Sequence, residues 1–354
     1  MTLGPLMVDV AGTVLTPEDR ELLRHPLVGS VILFTRNYSD PAQLQALVDE
    51  IKAVRSPSLL IGVDHEGGRV QRFRPGFTLL PAVRRIGRAF DADHKQGLAF
   101  ARAMGWLMAA ELRAVGIDFS FAPCVDLDYG VSEIIGDRAF HAKAGPVAQL
   151  AVAYAHGMHD AGMAATAKHF PGHGAVVADS HLALPIDRRR LADLEADLMP
   201  YRSLIANDLA AVMMAHVLFP EVDAVPASFS QRWIGFLRET LGFKGVVFAD
   251  DLKMEGAGAM GGIVARAEAA LAAGCDILPV CNDRQAVMTL LEGMKSKPGP
   301  ASQMRLLRMR GRSGEPLDAL RTSSRHRESL AWLAGKDEPP VLRLEDDLGI
   351  NRPG

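Results

Sequence analysis

Cysteine is scarce in this chain: Cys124, Cys275 and Cys281 are the three in 354 residues, and no two form a CxxC pair. That excludes a disulfide framework and leads us to expect buried thiols in a reducing compartment. Aromatic residues make up only 6% of the sequence, which argues against binding by base stacking. The formal net charge is -3, so no global excess of positive charge points to nucleic acid or to a membrane surface. No apolar run approaches the roughly 20 residues that span a bilayer. The stretch Met1 to Gly12 lacks a basic region followed by a long apolar run, so no signal peptide is expected and the cytoplasm is the expected location. A GxGxxG phosphate loop is missing too. What the chain does have is a 48% hydrophobic content, enough for a large core.

Apolar residues fall in eight short runs: Leu6–Val8, Ser30–Phe34, Leu59–Val63, Ile117–Ala122, Ala164–Ala167, Ala211–Ala215, Val246–Ala249 and Ile277–Val280. Several are nearly continuous in hydrophobicity and rich in Val and Ile, as in strands buried on both faces of a parallel sheet. Helical periodicity fills the gaps, at 41–54, 91–115, 145–161, 190–207, 229–240, 262–273 and 283–294. In the first of these, Leu44, Leu47, Val48 and Ile51 share a face behind an Asp40 cap and Pro41. The alternation predicts an α/β fold, a single (β/α)8 TIM-type barrel over 1–295, with an open doubly wound sheet as the competing arrangement. Residues 296–335 read as a helical extension packed on the barrel, and 336–354 as a charged, Pro-rich tail. Within the extension, Leu317 to Leu333 reads as one amphipathic helix, and the arginines of Met304 to Arg312 as a solvated face.

A polar residue follows each run: Asp9, Asn37, Asp64-His65-Glu66, Asp126, Lys168-His169, His216, Asp250-Asp251 and Asn282. In a barrel these strand ends converge on one face, where active sites lie. The densest cluster is Lys168-His169-Phe170-Pro171-Gly172-His173-Gly174, followed by Asp179-Ser180-His181. It puts three histidines, a lysine and an aspartate within fourteen residues of mostly loop sequence. Asp179 and His181 stand two apart, where a carboxylate can orient and polarise an imidazole for proton transfer. His173 can equally well only shape the turn.

A carboxylate at Asp250, at the end of a buried strand, can attack an electrophilic carbon or stabilise a cation; it can also cap the next helix. Two adjacent aspartates allow one to do each. In Asp64-His65-Glu66-Gly67-Gly68-Arg69-Val70-Gln71-Arg72, the glycines permit a tight turn close to a ligand, and Asp64 and Arg72 suit the gripping of hydroxyls. Surface ion pairing is the ordinary alternative for Arg69 and Arg72. Arg138, in Gly136-Asp137-Arg138, either binds substrate or pairs with Asp137. For His216, a buried hydrogen-bonded histidine is the reading favoured over catalysis.

Together these motifs resemble the family 3 glycoside hydrolases, in particular their single-domain bacterial β-N-acetylglucosaminidases of the NagZ type. The resemblance runs from about residue 5 to 295. It implies retaining hydrolysis of terminal β-linked N-acetylglucosamine, with Asp250 as nucleophile, His181 as acid/base and Asp179 as its partner. It implies that Asp64, Arg72, Arg138, Lys168 and His169 bind the sugar, and it gives His216 a less defined place beside them. It implies a small carbohydrate substrate from peptidoglycan recycling, with no metal or other cofactor, and the expected state is a monomer. The chain departs from the family at His65, where glutamine is frequent, and at Ala249, where serine is frequent. Three other readings compete: a metal-dependent hydrolase using Asp64, His65, His169, His173, His181 and Asp250; a sugar-binding protein without catalysis; and phosphorolysis at the same site. Resistance to a chelator, release of product and the effect of phosphate separate them.

Overall fold

Each of the eight apolar runs overlaps a strand in the computed structural model, which describes residues 2–178, 180, 183–295 and 299–334. The strands are β1 (Leu6–Val8), β2 (Val28–Leu33) and β3 (Leu60–Val63), a hairpin of β4 (His65–Gly67) and β5 (Val70–Gln71), then β6 (Phe119–Ser120), β7 (Thr166–Phe170), β8 (Ala211–Met214), β9 (Val246–Phe248) and β10 (Leu278–Val280). Every strand residue is buried. That explains the continuous hydrophobicity of the runs, since helices cover the outer face and side chains fill the inner one. Outside the hairpin all pairing is parallel, in two sheets ordered β10-β1-β2-β3-β6 and β7-β8-β9. Isolated parallel bridges join the sheets at both seams, Phe119 to Ala164 and Cys124 to Lys168 on one side and Phe248 to Ile277 on the other. The expected α/β class with parallel strands is therefore present, with the strands divided between two sheets.

The helices follow the predicted periodicity, with breaks that periodicity does not show. Pro41–Ala53 starts at Asp40, whose carboxylate accepts from the backbone N–H groups of Ala42 and Gln43. The helix expected over 91–115 is His94–Ala114, and a further helix that was not expected, Val83–Ala92, runs directly into it. Asp93 separates them in an extended conformation and caps the second through the N–H of Gln96. Leu317 to Leu333 is two helices, Leu317–Thr322 and Ser324–Ala331, divided at Ser323, whose hydroxyl accepts from the N–H of His326. In both cases a short polar side chain gives the backbone a better partner than the helix ladder would. Among the described residues no helix is long and apolar enough to cross a membrane.

The basic stretch of the extension is a solvated face only in part: Arg308 and Arg312 are exposed, while Arg305 and Arg310 are half-buried. Arg305 forms two-pronged hydrogen bonds to Asp276, and Arg308 pairs with Asp208. Arg310 binds the hydroxyl and carbonyl of Ser58, and the Arg312 N–H donates to the Gly162 carbonyl. Ser58, Gly162, Asp208 and Asp276 all lie just before strands, so the extension straps the N-terminal ends of the sheet. Buried Asp276 also accepts from Val247 N–H and Arg238, which ties the strap into β9. Leu306, Met309 and Leu320 join the same hydrophobic core as the strands. The expected tail, 336–354, and the residues Asp179 and His181 lie outside the described residues.

Candidate active site

The C-terminal ends of the strands gather three connected groups of polar side chains. Beyond β3 and β7, Lys168 Nζ lies 2.8 Å from Asp64 Oδ1 and 2.6 Å from Glu66 Oε1. Glu66 is held from its other side by Arg138, whose Nε and Nη2 donate to its two oxygens at 2.9 and 2.8 Å. Arg72 approaches Asp64 at 3.9 Å. Burial alone would push the Glu66 and Asp64 carboxyls up; the charges of Arg138 and Lys168 on Glu66, and of Lys168 and Arg72 on Asp64, outweigh it and hold both below their ordinary values. Burial would lower Lys168 and Arg138, but their acidic partners raise both. All of these groups are thus fixed in their charged forms, a rigid lattice of donors and acceptors with Asp64 at its half-buried edge.

The sequence prediction named Asp64, Arg72, Arg138 and Lys168, and the structure brings them together, but through Glu66, which it had not singled out. Arg138 pairs with Glu66, and Asp137 pairs instead with Arg69 at 3.2 Å. Glu66 was missed because its partner lies 72 residues away, a distance no local spacing reveals. Two further expectations change. The close approach at Gly67 is to the chain itself: its φ is +113° and a Cβ there would stand 2.5 Å from the Pro81 carbonyl oxygen. His65 is buried against the rings of Phe73 and Phe77, not set in the polar group. Burial, with Arg74 and Arg72 nearby, lowers its pKa to about 3.

A second group lies beyond β6 and β7. Asp126 is buried and accepts from His169 Nδ1 at 2.7 Å and from His173 N–H at 2.7 Å. Burial opposes ionisation here too, yet the His169 and His173 contacts bring the Asp126 carboxyl down to about 2. His169, expected at the sugar, is thus the partner of Asp126. Cys124 Sγ, Asp126 and His169 offer ligand atoms within 4.8 Å of one another, the sort of grouping that can hold a metal. This set differs from the one weighed from the sequence, and its atoms hydrogen-bond to each other: Cys124 Sγ is 3.3 Å from Asp126.

The third group separates the two aspartates after β9. Asp251 accepts from the N–H groups of Lys253 and Cys281, and burial pushes its carboxyl up to about 7. It is the aspartate that holds the loop. Asp250 is half-buried, with Oδ1 accepting the Asp251 N–H at 3.0 Å, and its charge reaches both His173 and His216. His216 is fully buried, stacked on Phe229 with ring centroids 5.2 Å apart, and its Nε2 lies 3.0 Å from the Asp251 carbonyl oxygen. Burial lowers its pKa. This is the expected buried, hydrogen-bonded histidine, placed where it steadies the backbone next to Asp250. The Cys281 thiol is pushed up mainly by burial, with the charges of Asp251, Asp9 and Asp64 adding to it. Asp9 and Asn37 serve the scaffold: Asp9 accepts from Asn282 N–H, and Asn37 donates to the carbonyls of Val10 and Gly12.

A rigid lattice of charged donors and acceptors beside a half-buried carboxylate can grip a polyhydroxylated ring and present that carboxylate to a carbon on it. The chain matches the glycosyl hydrolase family 3 N-terminal domain over residues 6–307. It is 52% identical over 346 residues to a β-hexosaminidase of Thioalkalivibrio sulfidiphilus, covering 98% of this chain and all of that one. With a β-hexosaminidase of Thiobacillus denitrificans it shares 55% identity over 340 residues, 95% of this chain and 94% of the relative. Among solved structures, NagZ from Neisseria gonorrhoeae in complex with N-trifluoroacetyl-D-glucosamine superposes with a TM-score of 0.89 at 44% identity, covering 94% of this chain and 98% of that one. This chain belongs to glycosyl hydrolase family 3, among its β-hexosaminidases.

Proposed function

We propose that this chain is a retaining exo-β-N-acetylglucosaminidase. Its substrate would be terminal β-linked N-acetylglucosamine, as on the 1,6-anhydro-N-acetylmuramyl compounds of peptidoglycan recycling. The observation that carries the reading is the division of labour between the paired aspartates, both half-buried: Asp251 accepts the N–H groups of Lys253 and Cys281 and holds the loop, while the charge of Asp250 reaches His173 and His216. In the first step an Asp250 oxygen bonds to the anomeric carbon as the bond to the leaving oxygen breaks. His181, protonated, gives its proton to that oxygen. In the second step neutral His181 takes a proton from water, the water oxygen bonds to the anomeric carbon, and the ester to Asp250 breaks. Asp179 would favour the protonated imidazole needed at the outset. A histidine in this role avoids setting a second carboxylate against Asp250.

Asp64, Arg72 and Lys168 would meet the sugar, with Arg138, His169 and His216 supporting them. We infer that the two sheets close into a (β/α)8 barrel, a reading supported by the parallel bridges at both seams. A monomer in the cytoplasm belongs to the same reading, and three buried free cysteines suit that compartment. The test is turnover of 4-nitrophenyl β-N-acetylglucosaminide against the matching β-glucoside, with a chelator present throughout. Chelator-resistant cleavage of the first alone is expected; cleavage of neither, or loss of activity to the chelator, would sink the proposal.

A further inference from the structure

Ser180 lies between Asp179 and His181 and is itself well placed: it is 2% exposed and bonded on two sides. Its Oγ is 3.1 Å from His173 Nε2, in the loop after β7. Its carbonyl oxygen accepts the N–H of Gly256 at 3.0 Å, in the loop after β9 that begins with Asp250 and Asp251. Both anchors are themselves fixed. The His173 N–H donates to the buried Asp126 carboxylate at 2.7 Å. Gly256 is wedged so closely that a Cβ there would stand 3.0 Å from the His216 Cβ and 3.2 Å from the Ser180 oxygen. Because a hydroxyl this deeply buried costs free energy unless paired, the contact with His173 also holds the Ser180 side chain in place.

We propose that Ser180 is a positioning residue for acid/base chemistry. Its side-chain bond to His173 and its main-chain bond to Gly256 register the chain carrying Asp179 and His181 against the loop carrying Asp250. A proton donor misplaced by about 1 Å can cost on the order of a hundredfold in rate. This inference rests on the reading of His181 as the acid/base, and its test distinguishes the two.

The quantity to measure is kcat/KM, which for a retaining enzyme reports the first step, where the leaving oxygen needs a proton. Two N-acetylglucosaminides are compared, one with an alkyl leaving group and one with 2,4-dinitrophenolate, which departs without protonation. For His181→Ala, kcat/KM should fall far more with the alkyl substrate. Ser180→Ala should show the same split at smaller size: about 10- to 100-fold on the alkyl substrate and less than about threefold on the dinitrophenyl one. Gly256→Ala, which disturbs the same anchorage from the facing loop, should split the two substrates in the same direction and stands in if Ser180→Ala does not fold. Equal losses on both substrates in the serine and glycine variants, with the split intact in His181→Ala, overturn the positioning role alone. Loss of the split in His181→Ala itself overturns the acid/base reading and this inference with it.

Discussion

At the scale of single residues, the two aspartates after β9 show how environment assigns roles that sequence leaves open. Asp250→Ala should remove turnover by at least about a thousandfold while the thermal midpoint and N-acetylglucosamine binding by calorimetry stay near those of the parent. Turnover within tenfold of the parent would refute the nucleophile. Asp126 supports a different prediction. Its carboxyl titrates at about 2 in the folded chain against an ordinary value of 3.8. The folded state therefore binds fewer protons between those values. The stabilisation, on the order of 2 kcal/mol, is full above the ordinary value and is lost as pH falls through the folded one. In Asp126→Asn this component should be absent, so unfolding midpoints followed from pH 6 to pH 2.5 should decline less steeply than in the parent. Parallel declines would show that Asp126 contributes nothing to the acid limb.

At the scale of elements, the eight strands were legible because each is buried on both faces and so reads as an unbroken apolar run. Helices were legible where one face alone is apolar, as in Pro41–Ala53. The breaks at Asp93 and Ser323 were not, since a cap interrupts the backbone without interrupting the hydrophobic period. The motif loops stood out through their titratable residues, yet Glu66 and Asp126, though visible as polar residues at strand ends, were given no role, because each is defined by partners distant in sequence. Arg305 and Arg310 of the extension were misread for the same reason: Asp276 and Ser58 are far from them in sequence. Arg305→Ala should cost about 2 kcal/mol, since it removes a charged, two-pronged partner of buried Asp276. Arg190→Ala, which breaks an exposed pair with Asp193, should leave the urea midpoint unchanged. Equal midpoints for the two variants would mean that the strap contributes no stability.

For the whole molecule, parallel strands separate what stabilises from what reacts. The strap meets Ser58, Gly162, Asp208 and Asp276 at one end of the sheets, while Asp64, Lys168, His216 and Asp250 lie at the other. The strap reaches further along the side of the fold through His326 Nε2, which is 3.2 Å from Glu111 in His94–Ala114; Glu111 in turn accepts from the N–H and hydroxyl of Thr78. A chain ending before residue 299 loses these ties, together with the core contacts of Leu306, Met309 and Leu320. Burial of three such side chains is worth roughly 5 kcal/mol before any polar contact is added. The thermal midpoint of the shortened chain should therefore fall by at least about 10 °C. Its KM for 4-nitrophenyl β-N-acetylglucosaminide, measured well below that midpoint, should stay within about twofold of the parent, because among the described residues the contacts named for the strap lie at the end of the sheets opposite Asp64, Lys168, His216 and Asp250. A tenfold rise in KM at an unchanged midpoint would reverse the argument and make the extension part of the sugar site.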